Sequence, residues 1–272
     1  MRDAICSRSV TTGRSAQRFH TLFSNSKLMQ RVFLAALAVV LAPVAASAAV
    51  TIDTFSAPPQ TVITSDGGSP QQNTVVTGVL GGERDLRITG TRGEGRVNQF
   101  GNDALNFVQV SGGTALLRSV YDGIDGDAAT INTSGLGGFD LTQGGANDSF
   151  LLSDVTYSGV ALRLIVRVFE QGALSTVFTD FSTVLPAASD FVGPVFIPFG
   201  TAGAGVLSNV GAIELRISDD SDTPRTGGQN LTIGTFAAVA TVPEPMSLTL
   251  AGLLGVGLCG GAYRRRKQGV AA

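Results

Sequence analysis

The sequence predicts an all-β body, an antiparallel β-sandwich of jelly-roll type, flanked by an N-terminal signal helix and a C-terminal transmembrane helix. Three observations lead there. Apolar and polar residues alternate in short segments, clusters of Gly and Asp punctuate those segments, and no stretch between 49 and 241 carries the 3.6-residue apolar period of an amphipathic helix.

The strand expectations run along the chain as 50–55, 74–79, 85–89, 96–100, 104–110 and 115–121, then 150–152, 160–170, 175–180, 191–197, 211–218 and 231–239. The clearest are 160–170, which sets Leu162, Leu164, Val166 and Val168 against Arg163 and Arg167, and 211–218, which sets Ile213, Leu215 and Ile217 against Glu214 and Arg216. Period-two alternation of this kind marks a strand with one face in a core. The clusters SDGGSP, TRGEG, VSGGT, DGIDGD, TQGGAND and DDSDTPRTGG read as the turns between them. Pro194 and Pro198 mark 191–197 as an edge strand, because proline cannot donate to a ladder.

The two ends read as addresses. Lys27 and Arg31 precede the apolar run 32–41, then Pro43 and the small residues Ala46, Ser47 and Ala48. That is the charged, apolar and cleavage order of a secretory signal, which places 1–48 as a removable leader and Ala49 at the start of the mature body. Met1 and Met29 both remain open as the start. At the other end Val242, Pro243, Glu244 and Pro245 precede 246–263, 18 residues without a charge, and then Arg264, Arg265, Arg266 and Lys267. As a helix this run would be about 27 Å long, enough to cross a bilayer, with the basic tail on the cytoplasmic side.

These three ordered parts resemble the PEP-CTERM sorting architecture of Gram-negative bacteria. The resemblance covers 242–268. It implies an exosortase as processing partner, transient membrane anchoring through 246–263, and delivery to the cell surface or extracellular matrix of a bacterium that makes exopolysaccharide. The sequence SNVGAIELRISDD…QNLTIGTFAAV is similar, more distantly, to the last two strands of galactose-binding-like and carbohydrate-binding jelly rolls.

Composition excludes several chemistries. Residues 49–242 hold nine Lys+Arg, all of them Arg, against 19 Asp+Glu, a formal charge of −10 where the whole chain has −2. That acidity disfavours nucleic acid and anionic membrane as partners. Cys6, Cys259 and His20 all fall outside this region, and it contains no Lys and no Trp. Thiol, imidazole and amine catalysis, zinc sites and disulfides therefore have no residues to build on, and a carboxylate pair is the main catalytic device left.

Among those carboxylates, Asp122, Asp125 and Asp127 fall within six residues, spaced by Gly123 and Gly126. Oxygen donors so close together suit Ca²⁺, although the spacing is not that of an EF-hand, and a solvated hairpin turn would use the same residue types. Asp219, Asp220 and Asp222 form a second acidic run. Tyr121 is the candidate sugar-stacking residue and Asp148 a candidate ligand contact. The expected function is a secreted, non-catalytic component of the exopolysaccharide matrix that binds glycan with Ca²⁺. The alternatives are a glycan-acting enzyme with an Asp pair, and a structural spacer or self-assembly module.

Overall fold

The computed structural model describes residues 49–241, apart from 57, 202–203 and 220–226. The expected leader 1–48, the sorting segment 242–268 with its membrane helix, and Asp220 and Asp222 lie outside the described residues. Among the described residues no helix is long and apolar enough to cross a membrane.

The body is all-β and antiparallel. Its first strands are β1 (Val50–Asp53), β2 (Gln60–Thr64), β3 (Gln71–Val75), β4 (Glu83–Val97) and β5 (Leu105–Tyr121). After a long loop come β6 (Ser149–Gly159), β7 (Leu162–Glu170), β8 (Thr179–Leu185) and β9 (Ala188–Pro198). A single helical turn, α1 (Ala204–Leu207), precedes β10 (Val210–Asp219), β11 (Gln229–Ile233) and β12 (Thr235–Val239). Hydrogen bonds join them in the order β1-β12-β6-β11-β5-β10-β7-β8, with β2 and β3 on β4, β4 on β5, and β9 on β6.

Two layers face each other across an apolar core, as in a β-sandwich. One comprises β3, the first half of β4, the second half of β5, then β10, β7 and β8. Opposite lie β1, β12, the first half of β6 and β9. Tyr121 meets Phe236 across the core at 6.0 Å between ring centroids, and Phe150 meets Phe181 at 5.6 Å. Such tilted and edge-to-face pairs are the preferred aromatic geometries.

The layers are not separate sheets, because β4 and β5 continue from one into the other. Along one side of β5, residues 105–109 pair with β11 and residues 116–121 with β10, while β4 follows the other side. Here the structure corrects the expected turns. TRGEG and VSGGT do not end strands; they lie opposite one another at a bend in two continuous ones. The register slips between Thr91 and Gly93, with Arg92 in the left-handed region at φ 54°. A Cβ at Gly90 would run into the Thr114 carbonyl oxygen, so the two strands approach closely only because that residue has no side chain. Gln109 fills the irregular stretch from inside, donating to Gly113 O at 2.8 Å and accepting from Ala115 N at 3.0 Å.

Other boundaries move as well. The run expected at 175–180 begins its strand at Thr179, and the one expected at 231–239 breaks at Gly234 into β11 and β12. β2 was not expected at all. It brings Gln60 into a buried polar knot: Arg84 Nη1 donates to both oxygens of Asp53 at 3.1 and 3.0 Å, Tyr121 donates its hydroxyl to Asp53 Oδ2 at 3.1 Å, and Gln60 Nε2 donates to Arg84 O at 3.0 Å. Burial pushes the Asp53 carboxyl up, against the pull of the Arg84 charge. The knot ties β1, β2, β4 and β5 together.

Candidate metal centre

Alternation along β4 turns Arg84, Leu86 and Ile88 into the core and Glu83, Asp85 and Arg87 to the outer face. An outer-face Asp would ordinarily be solvated. Asp85 is only 1% exposed, because the loop that follows β5 folds back over it. That loop opens with Asp122, fully buried directly after Tyr121. Glu83 fastens it down: its Oε2 accepts from Asp125 N at 2.8 Å and from Gly126 N at 3.1 Å. Gly135 brings the far side of the loop against Asp122, where a Cβ would collide with the Asp122 carbonyl oxygen.

The outcome is a carboxylate centre. One oxygen each from Asp85, Asp122 and Asp125 lies within 4.8 Å of the others. Asp122 Oδ2 accepts from Asn132 N at 2.7 Å, but Asp122 Oδ1 and both oxygens of Asp85 receive no hydrogen bond. Buried polar atoms are nearly always satisfied, so three orphaned oxygens on two neighbouring buried carboxyls need a positive partner. Without one the centre holds protons. Burial first, then the charges of Asp122 and Glu83, push the Asp85 carboxyl up to about 8. Burial pushes Asp122 up to about 6, with the Asn132 amide pulling the other way.

The donor set is all oxygen and all carboxylate, which suits a hard divalent cation such as Ca²⁺. Asp125 is exposed, so the centre opens to solvent on one side, where waters can complete the shell.

Of the three residues expected from sequence, the structure brings Asp122 and Asp125 together and leaves Asp127 out. Asp127 accepts from Ala129 N at 2.9 Å and from the Thr130 hydroxyl at 2.7 Å, which spends its oxygens on its own turn. Asp85, 37 residues upstream, takes the third place. Tyr121 is fully buried against Phe236, with its hydroxyl on Asp53, so its ring offers no face to a sugar. Asp148 accepts from the Thr241 amide at 2.8 Å and from its hydroxyl, closing the end of the body.

Among the described residues, two of the grooves lie elsewhere. One of about 510 Å³ is lined by Thr54, Asn102, Asp103, Asp154, Thr232 and Thr235, among others. The other, about 310 Å³, runs over Ile63, Arg92, Glu94, Val108 and Val110.

No family model matches the chain, and no curated protein matches it in sequence. Among solved structures, it is similar to a family 11 carbohydrate-binding module from Clostridium thermocellum in complex with a β-1,3-1,4-mixed-linked tetrasaccharide, at 10% identity and TM-score 0.34, over 72% of this chain and 98% of that one. A point mutant of a family 29 carbohydrate-binding module gives 8% identity and TM-score 0.29, over 67% and 91%. The agarase AgWH50C gives 11% and 0.32 over 58% of this chain, which spans only 23% of that structure. At these scores no ligand or activity carries over.

Proposed function

We propose that this chain is a secreted, non-catalytic component of a cell-surface exopolysaccharide matrix, whose β-body takes up Ca²⁺ on Asp85, Asp122 and Asp125 and binds the polysaccharide of its own cell. The observation that carries the cation is the pair of orphaned Asp85 oxygens, buried beneath the loop and facing two further carboxylates. Export and exosortase sorting are supported by the sequence order of the ends: leader, Val242–Pro245 motif, apolar run and Arg264–Lys267 tail. A non-catalytic role is supported by composition, since residues 49–242 hold no Cys, His, Lys or Trp.

Co-sedimentation of the protein with its host's exopolysaccharide, in Ca²⁺ and in chelator, tests the reading. Saturable binding supports it, and absence of binding in both conditions overturns the glycan part. Sorting has its own test. Replacing Pro243 and Pro245 with Ala should hold the protein in the inner membrane, and normal surface delivery of that variant would refute exosortase handling.

One observation favours a second reading. Asp103 and Asp154 line the same 510 Å³ groove, both in the left-handed backbone region at φ 42° and 52°, and an Asp pair at a groove is what a glycan-acting enzyme would need. Release of reducing ends from the host polysaccharide, lost in Asp154→Asn, would establish it.

A further inference from the structure

The outer face of the β4-β5-β10-β7-β8 layer carries an unusual row. Register places Arg87, Arg118 and Arg216 directly abreast on three neighbouring strands. Ile165 of β7 continues the row, and Arg163 and Arg167 flank it two residues to either side on the same face. Five of the eight described arginines of a body with formal charge −10 therefore project from one side of one layer.

Like charges directly opposite on adjacent strands destabilise a sheet, and this row has little to offset them. Among the described residues, Glu214 and Asp180 stand beside Arg118, Arg216 and Arg167, and Asp85 lies two residues from Arg87 on the same face. Glu214 accepts from Arg118 Nε, and Arg216 Nε lies 3.9 Å from the same oxygen without a hydrogen bond. Asp180 is taken by Arg167, whose Nε and Nη2 donate to it at 2.8 and 2.9 Å. Among the described residues, Arg87 donates to the Ser69 hydroxyl and the Ala129 carbonyl, neither of them charged. Arg167 Cζ also lies over the Phe178 ring, 3.3 Å from its centroid, so a partly exposed aromatic borders the row beside β8.

We infer that this arginine face binds a carboxylate-bearing polysaccharide, its uronate groups bridging Arg87, Arg118 and Arg216. Adjacent strands stand about 4.8 Å apart, so the row offers cationic forks along a line of about 10 Å. Arginine forks match carboxylates with paired hydrogen bonds, and the absence of Lys from the body leaves no unspecific ammonium charge beside them. A polymer with spaced charges feels this local face, because the rest of the acidic surface is screened beyond about 8 Å at physiological salt. A densely charged polyanion such as DNA, or an anionic membrane, meets the acidic remainder as well. The inference rests on the glycan reading above and uses other residues than the cation centre, which adjoins the row at Asp85, two residues from Arg87 on the same face of β4.

The test is binding of the full chain to polygalacturonate in chelator, with fully methyl-esterified polygalacturonate, duplex DNA and phosphatidylglycerol vesicles alongside. Polygalacturonate should bind and weaken with added salt, and the ester should not bind. Arg87→Gln and Arg216→Gln should each weaken binding roughly fivefold, with Lys at either position restoring part of the loss and Arg92→Gln, on another face, leaving it unchanged. Melting temperatures of all variants separate lost contacts from lost fold. Equal binding of the ester, unchanged affinity in both Gln variants, or preferential binding of DNA or vesicles would overturn the inference. Ca²⁺-dependent capture of host polysaccharide with no binding in chelator would overturn it and leave the proposed function standing.

Discussion

Asp85 on β4 and Asp122 at the end of β5 face one another beneath a loop, both buried, and no hydrogen bond satisfies either oxygen of Asp85. Two buried carboxyls in that relationship repel unless a proton or a cation lies between them.

A cation should therefore raise stability visibly. A ligand that binds only the folded chain, present at about a hundredfold over its Kd, stabilises by about 2.7 kcal/mol, which for a body of this size moves the melting temperature by about 5–10 °C. Calorimetry with Ca²⁺, Mg²⁺ and chelator measures it. No shift with either ion would mean that the centre holds protons instead.

Asp85→Asn separates charge from shape. The amide can donate to Asp122 and carries no charge, so in chelator at pH 8 the variant should be more stable than the parent by about 1–3 kcal/mol, while its response to Ca²⁺ disappears. Asp127→Ala should keep that response and lose only a little stability, since its carboxylate serves its own turn. A Ca²⁺ response lost in Asp127→Ala and kept in Asp85→Asn would reverse the assignment of ligands.

The pH dependence in chelator follows from the raised carboxyls. Asp85 is held up to about 8 and Asp122 to about 6 in the folded chain, against about 4 when unfolded. Between pH 4 and 8 the folded state thus binds more protons than the unfolded state, and stability falls as pH rises through that window. Urea midpoints at pH 5, 6.5 and 8 should decline in that order. A flat or rising series would show that the two carboxyls titrate normally.

Gly135→Ala tests the loop that makes the burial. A Cβ there meets the Asp122 carbonyl, so the loop must lift, at a cost of about 4 kcal/mol or more, and the Ca²⁺ response should go with it. Arg84→Met provides the contrast. It leaves Asp53 buried without its cation, costing about 3–5 kcal/mol, yet any chain that still folds should keep its Ca²⁺ response because the knot lies on the core side of β4.

Alternation made β7 and β10 readable, because one face of each strand is apolar at Leu162, Leu164, Val166 and Val168 and at Ile213, Leu215 and Ile217. The bend in β4 and β5 was not readable, since TRGEG and VSGGT have the composition of turns and only their position opposite one another makes them a shared bulge. Two of the centre's three carboxylates, Asp122 and Asp125, were readable in DGIDGD. Asp85 was not, because on its own strand it is one of three charged residues on an outward face, and its burial is imposed by a loop that starts 37 residues later. The arginine row was hidden for a related reason. Each arginine looks like the solvated side of its own strand, and only register sets them abreast.

β1 and β12 are antiparallel neighbours, with Val50 opposite Ala238, so the body receives and releases its chain at the same end of one strand pair. Tension between the two chain ends would peel that pair apart rung by rung, at low force. Tension that enters at β12 and leaves through a polymer held on β4, β5 and β10 must instead pass along β6, β11 and the bent strands, straining many hydrogen bonds in parallel. A body built this way yields easily when pulled by both ends and resists when held by one end and a face.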